Sequence, residues 1–321
     1  MSKVLITGVA RSGTTWVGKV LARTEGAAYL NEPDNEYELF ALRAKRRLGS
    51  VPVLAPGDEA PRYETLWRNA FGMVDRSAVR RTGRRIRTRV IDSLDVADEG
   101  LAVAKSRTVH RSPALKIAET IAVPRHPQEP YEHVIVKSVH CLLSLEWVVA
   151  RFHPATLVVL RHPLNVIGSW MDLGVKARDQ RLDSNPKVVE TFAIGWGVSL
   201  PGAAASDVER AAWHYGLYAT ALQDACDRHP EWLTVQHEDL CAAPEDGFRS
   251  IADALGLRWT EATSAWLAES DRPGEGFATQ RVASEQPERW RSRLDDVQVG
   301  QIRAVLEKFP LRGWPNGSVE P

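Results

Sequence analysis

Two stretches of this chain carry residues suited to gripping phosphate-like anions. The first is Gly8-Val9-Ala10-Arg11-Ser12-Gly13-Thr14-Thr15-Trp16. Gly8 and Gly13 permit a tight turn and close approach of backbone to a ligand. Ser12, Thr14 and Thr15 offer hydroxyls, and Arg11 offers a positive charge. The glycine spacing matches the nucleotide-binding pattern G-x-x-x-x-G-K-[ST], but Thr14 stands where the lysine belongs. That lysine reaches the β- and γ-phosphates of a nucleoside triphosphate, so the loop suits a ligand with a single 5′-phosphate better. The second stretch contains Arg161, followed eight residues later by Ser169. An arginine presents a planar fork of donors that fits a phosphate, and a serine hydroxyl completes the grip. Together the two sets imply two separate anionic groups on one ligand.

The flanking sequence indicates how these residues are held. Lys3–Thr7 is a β-branched apolar run that reads as a buried strand, and helical spacing begins at Trp16. Strand, glycine loop and helix form an anion cradle, because the first N–H groups of a helix are unpaired and its dipole is positive there. Thr156–Leu160 is the cleanest strand, with Arg161 just past its C-terminal end, where open α/β sheets bind ligands. Pro163 starts a helix that carries Ser169. Further strands are expected at residues 27–30, 133–136 and 232–235. Helices are expected at 36–48, 142–152, 207–226, 248–255 and 297–309. This alternation predicts an α/β fold of the P-loop nucleotide-hydrolase type, with a parallel sheet flanked by helices on both faces. One domain is expected over 1–321, with a helical insert at about 36–130.

Composition is that of an ordinary globular protein, 44% hydrophobic and 26% charged, with zero net charge. Cys141, Cys226 and Cys241 have no metal-ligand spacing and read as reduced; no metal is expected. A strand beginning by residue 3 leaves no room for a leader, and no apolar run reaches the ~18 residues needed to span a membrane. The cytoplasm is the expected location. The charge is uneven: residues 43–89 hold thirteen cations against four carboxylates. Residues 43–89 are therefore +9 and the remainder −9, a distribution that marks either a surface for an anionic partner or a solvated helical face. Aromatic residues are scarce in the run, and no recognition motif for nucleic acid is present.

With these residues in place, the chain resembles the PAPS-dependent sulfotransferase family (PAPS is 3′-phosphoadenosine 5′-phosphosulfate). Residues 10–16 are similar to its 5′-phosphosulfate loop. Leu160-Arg161-His162-Pro163 through Gly168-Ser169-Trp170 is similar to its 3′-phosphate motif. His237-Glu238-Asp239-Leu240 and the stretch 286–294 around Trp290 resemble two further family segments. The resemblance implies that Arg11, Ser12, Gly13, Thr14 and Thr15 hold the phosphosulfate. It also implies that Arg161 and Ser169 hold the 3′-phosphate, with Arg281 as a further contact. Trp16 either stacks near the adenine or packs in the core. PAPS carries a phosphosulfate and a 3′-phosphate but no triphosphate, in keeping with a cradle that lacks the lysine.

Sulfuryl transfer needs an acceptor hydroxyl held in line, a base for its proton, and charge to neutralise the leaving phosphate. Glu32 follows the second strand, in the region where carbohydrate- and tyrosine-sulfating members commonly place a base. Lys137-Ser138 resembles the family lysine that supports the leaving group. His140 is a second candidate base, although the small-molecule enzymes carry their histidine two residues after that lysine rather than three. The resemblance is closer to the carbohydrate and tyrosine-protein type. It points to a hydroxyl on a carbohydrate, glycolipid or natural product, and the basic insert is compatible with an anionic glycan or peripheral membrane contact. Two other readings stand beside it: a P-loop kinase using ATP and magnesium, and a binding protein that keeps the fold without activity.

Overall fold

The computed structural model describes residues 1–73, 78–106, 110–174, 182–183, 185–273 and 282–312, without the side chains of 78–82, 84, 105 and 106. Five strands form one sheet: β1 (Ser2–Thr7), β2 (Ala27–Asn31), β3 (His133–Lys137), β4 (Ala155–Leu160) and β5 (Leu233–Gln236). Their order is β2-β3-β1-β4-β5. The pairs β2/β3 and β4/β5 are parallel, with Asn31 opposite Lys137 and Leu160 opposite Gln236. Val4–Ile6, Val134–Val136 and Leu157–Val159 are fully buried, as continuous apolar strands of a covered parallel sheet must be. Each such side chain contributes roughly 1.5–3 kcal/mol by burial, which leaves the strand ends free to carry polar residues. The expected fold class is the observed one: a parallel α/β sheet flanked by helices.

The chain divides into two compact units, residues 1–5 with 26–154 and residues 6–25 with 155–321. The first unit contains β2, β3 and the helical insert. The insert's helices are α2 (Leu39–Ala44), α3 (Pro61–Ala70), α4 (Ala78–Ser93), α5 (Ala97–Ser106) and α6 (Pro113–Ile121). Leu42, Val96, Val103, Leu115 and Ala118 form their core. A second cluster stacks Tyr63, Trp67, Phe71, Trp147 and Phe152 with ring centroids 5.5–6.4 Å apart. The helix expected over 36–48 is shorter, because Asn35 turns the chain first: its carbonyl accepts from the Glu38 N–H and its side-chain oxygen from the Tyr37 N–H.

The second unit contains α1 (Thr14–Leu21), β4, β5, helix Pro163–Asp172 and the 22-residue helix Asp207–Arg228. Ser206 and Glu209 start that long helix with a reciprocal capping box. Helices His237–Ala242 and Glu261–Ser270 were not expected from the sequence. In the latter, the apolar residues follow no single stripe, so no periodicity announces it. Among the described residues, no helix is long and apolar enough to cross a membrane, and the three cysteines are free.

Candidate active site

The glycine loop leads into α1 within the second unit. Gly13 caps the helix at φ 92°, with no side-chain cap, so the first N–H groups of α1 remain open to a ligand. A Cβ at Gly13 would meet the His237 ring at 2.2 Å, and one at Gly8 would meet the Val159 carbonyl at 2.3 Å. Both glycines are therefore required by close packing as well as by the turn. Arg11 adopts φ 76°, a left-handed backbone that is uncommon for a side chain with a Cβ and costs roughly 1–3 kcal/mol. Its Nε donates to Ser169 Oγ at 3.0 Å, joining the loop to the Arg161–Ser169 stretch.

Arg161 is 8% exposed, and its Nη1 donates to the Arg11 carbonyl at 3.0 Å. Its Nε and Nη2 are buried without a hydrogen-bond partner, as is Ser12 Oγ. Burial pushes the guanidinium down to about 10, against the opposing pull of Glu238, so it stays charged at neutral pH. A buried cation with two open donor nitrogens fits an oxyanion. The Trp170 indole donates to the Ala10 carbonyl at 3.0 Å, and the Tyr215 hydroxyl donates to the Arg161 carbonyl at 3.1 Å, which fixes both segments. Thr14 is buried, and Trp16 packs edge-on against His237 and Phe248. Burial, reinforced by Arg161, holds the His237 ring well below the usual imidazole range and therefore neutral. Arg281 lies outside the described residues.

Asn165 was not singled out from sequence, and Glu238 only as a member of the 237–240 segment. Glu238 Oε1 accepts from the His162 N–H at 3.1 Å and from Asn165 Nδ2 at 3.4 Å. Asn165 also donates to the Pro287 carbonyl at 2.8 Å and accepts from the Trp290 N–H at 3.0 Å. One asparagine thus ties together the three segments around 162, 238 and 290. Only Glu238's place next to His237 hinted at this.

The first unit holds the other cluster. The Glu32 N–H extends the β2/β3 ladder by donating to the Lys137 carbonyl at 2.7 Å, and Glu32 itself sits at φ 45°. The Lys137 ammonium pairs with Glu32 Oε1, and Asn35 Nδ2 donates to Oε2 at 2.9 Å. His140 Nε2 lies 3.5 Å from Oε2 without making a hydrogen bond. Burial raises the Glu32 pKa, but the His140 ring and the Lys137 ammonium outweigh it and hold the carboxylate well below its ordinary range. Ser138 bridges to the fully buried Asp34 at 2.7 Å and accepts from the His140 N–H at 3.0 Å. Asp34 also accepts from Lys45 Nζ and from the Tyr63 hydroxyl. Lys45 is thus a buried strut of the insert rather than part of a charged surface.

A sequence model of the sulfotransferase family matches residues 3–261. The chain belongs to that family, whose members are enzymes of sulfuryl transfer. No curated relative matches its sequence. Among solved structures it is similar to the sulfotransferase domain from the curacin biosynthetic pathway, at 13% identity and TM-score 0.45, covering 95% of this chain and 97% of that one. It is also similar to the mouse sulfotransferase SULT7A1 complexed with PAP, at 11% identity and TM-score 0.42, covering 95% and 82%. A third is sulfotransferase STF9 from Mycobacterium avium, at 14% identity and TM-score 0.40, covering 96% and 77%.

Proposed function

We propose that this protein transfers the sulfuryl group of PAPS to a hydroxyl of a carbohydrate, glycolipid or natural product. The observation that carries this reading is Arg161, a buried guanidinium with Nε and Nη2 unpartnered beside the Arg11–Ser169 hydrogen bond. In this reading Arg161 and Ser169 bind the 3′-phosphate, with Arg281 as a further contact. The open N–H groups at the start of α1 take the 5′-phosphosulfate together with Arg11, Ser12, Gly13, Thr14 and Thr15. Bound PAPS supplies a sulfuryl group whose bond to the 5′-phosphate oxygen breaks as the acceptor oxygen bonds sulfur, leaving 3′,5′-diphosphoadenosine.

Glu32 is ionised across the physiological range and so can accept the hydroxyl proton. Its pairing with Lys137 and Asn35 fixes its orientation but weakens it as a base. Lys137 offers a positive charge to the leaving phosphate, and His140 is the second candidate base. Titration calorimetry with 3′,5′-diphosphoadenosine and with Mg-ATP tests the reading. The diphosphate is expected to bind and Mg-ATP to bind far more weakly. Magnesium-dependent turnover of ATP with no binding of the diphosphate would instead establish a kinase.

A further inference from the structure

The first unit contains a cleft of about 900 Å³ bounded by β2, the insert helices and the loop at 122–128. We propose that this cleft is the acceptor pocket of the sulfuryl-transfer reaction, and that it selects a bulky amphipathic acceptor with an apolar body and no anionic group. The inference rests on the reading above and adds to it the class of acceptor and the residues that choose it.

The size is the first argument. Small-molecule sites run from about 300 to 1,000 Å³, and a cleft at the upper end is far too roomy for a simple phenol. The walls are the second. Leu39, Phe40, Ile91 and Val123 form apolar parts of a wall that also carries Tyr29, Thr88, Asp92 and Gln128, a mixed lining that suits an amphipathic body with apolar and hydroxyl-bearing parts.

Hydrogen bonds from the cleft's lining to the residues flanking Glu32, all within this unit, link the two and are the third argument. Tyr29 and Arg125 line the cleft and both hold Asn31, the residue before Glu32. The Tyr29 hydroxyl donates to its side-chain oxygen at 3.1 Å, and Arg125 donates to its carbonyl at 2.9 Å. Asn35 grips Glu32 Oε2 with its amide while its oxygen accepts from the Tyr37 N–H, and Tyr37 also lines the cleft. The segment 29–38 is thus at once the cleft's wall and the mount of the candidate base.

Charge is the fourth argument. α4 and the turn after it turn Thr88, Ile91, Asp92 and Asp95 to the cleft, and neither aspartate has an ion pair with a described residue. Arg125 is neutralised by Glu38 at 3.3 Å. The described arginines of α4, Arg85, Arg87 and Arg89, are exposed and do not line it. A polyanionic glycan would meet two carboxylates here, whereas a neutral or cationic amphiphile would not. The basic character of the insert therefore does not extend to this pocket.

The test uses the full chain and three probes: dodecyl maltoside below its micelle concentration, a heparin oligosaccharide, and 2-naphthol. Binding is measured directly, and 3′,5′-diphosphoadenosine affinity is measured in parallel. The wild type is expected to bind the maltoside more tightly than either other probe. Ala97→Trp, which places a large ring at an exposed helix start facing the cleft, is expected to weaken maltoside binding tenfold or more while changing diphosphate affinity less than twofold. Asp92→Lys with Asp95→Lys is expected to raise heparin affinity at least tenfold. Maltoside binding that is absent, or that Ala97→Trp leaves unchanged, overturns the inference even if the diphosphate binds. Diphosphate binding that fails while the maltoside remains sensitive to Ala97→Trp removes the sulfuryl-transfer reading and leaves the cleft as a ligand pocket.

Discussion

The glycine loop with Arg161 and the Glu32 cluster are both built from cations, hydroxyls and strained backbone, yet they are opposites in how their polar groups are satisfied. Arg161 and Ser12 leave buried donors without protein partners. Glu32 has Lys137 on one oxygen and Asn35 on the other. The first arrangement stores binding capacity, because an anion that enters meets donors already desolvated and need not displace a protein partner. The second stores stability, because its charges already neutralise each other. Substitutions in the two regions should therefore separate binding from folding.

The largest effect is expected at Arg161. Arg161→Ala should weaken 3′,5′-diphosphoadenosine by about two orders of magnitude or more in calorimetry, since charge-assisted bonds to phosphate are each worth ~1.5–3 kcal/mol. Thermal unfolding of the unliganded variant should match or exceed that of the wild type, because a largely unpaired buried charge has been removed. A large loss of thermal stability with unchanged binding would reverse the contrast.

Glu32→Gln should do the converse. It leaves the nearly buried Lys137 without its counter-charge, so unfolding should lose about 1–3 kcal/mol. Diphosphate affinity should change by less than threefold, and sulfuryl transfer should fall by roughly 10²–10⁴, the usual weight of a positioned base. If His140→Gln abolishes transfer while Glu32→Gln retains it, the base is His140. The acid dependence also follows. The Glu32 carboxylate is held below its unfolded value, so its stabilisation is present above the ordinary carboxylate range near 4.3 and is lost as pH falls below it. Glu32→Gln should flatten that part of the stability curve.

His214 provides a milder test outside both clusters. Burial pushes its imidazole down to about 4, so it is neutral when folded and protonates at about 6.5 when unfolded. Stability should decline as pH drops from about 6.5 toward 4, by up to about 3 kcal/mol, and His214→Phe should remove the decline. An unchanged slope would assign acid sensitivity to buried His237 and half-buried His162 first.

The contrast also explains what was legible in the sequence. The glycine loop was legible because strand, turn and helix are contiguous and each has a local signature. Arg161 and Ser169 were legible because one follows a clean strand and the other lies eight residues on in the helix that Pro163 starts. The ties that Asn165 makes to Glu238, Pro287 and Trp290 span 73 to 125 residues and leave no spacing to read. The basic run leaves its two readings open for a related reason. Composition cannot distinguish Lys45, wholly buried on the Asp34 carbonyl, from Arg85 on an exposed helix face. The cleft bounded by β2 and the insert helices was hidden too, since residues 27–30, 37–40, 88–97 and 122–128 meet only in the fold.

The smallest predicted effect carries the finest distinction. Ser169 Oγ accepts from Arg11 Nε, so its own hydroxyl hydrogen remains available to a ligand while it steadies a loop residue held in left-handed backbone. Ser169→Ala should weaken 3′,5′-diphosphoadenosine five- to tenfold, about 1 kcal/mol for one hydrogen bond. Adenosine 5′-monophosphate, which lacks the 3′-phosphate, should bind wild type and variant alike. Equal weakening of both ligands would mean that Ser169 acts through Arg11 on the 5′ loop. In that case the double variant with Arg161→Ala should lose the sum of the single losses, because the two side chains would then serve different phosphates. If both hold the same phosphate, the second loss should be smaller than the first, since residues sharing one partner do not contribute additively.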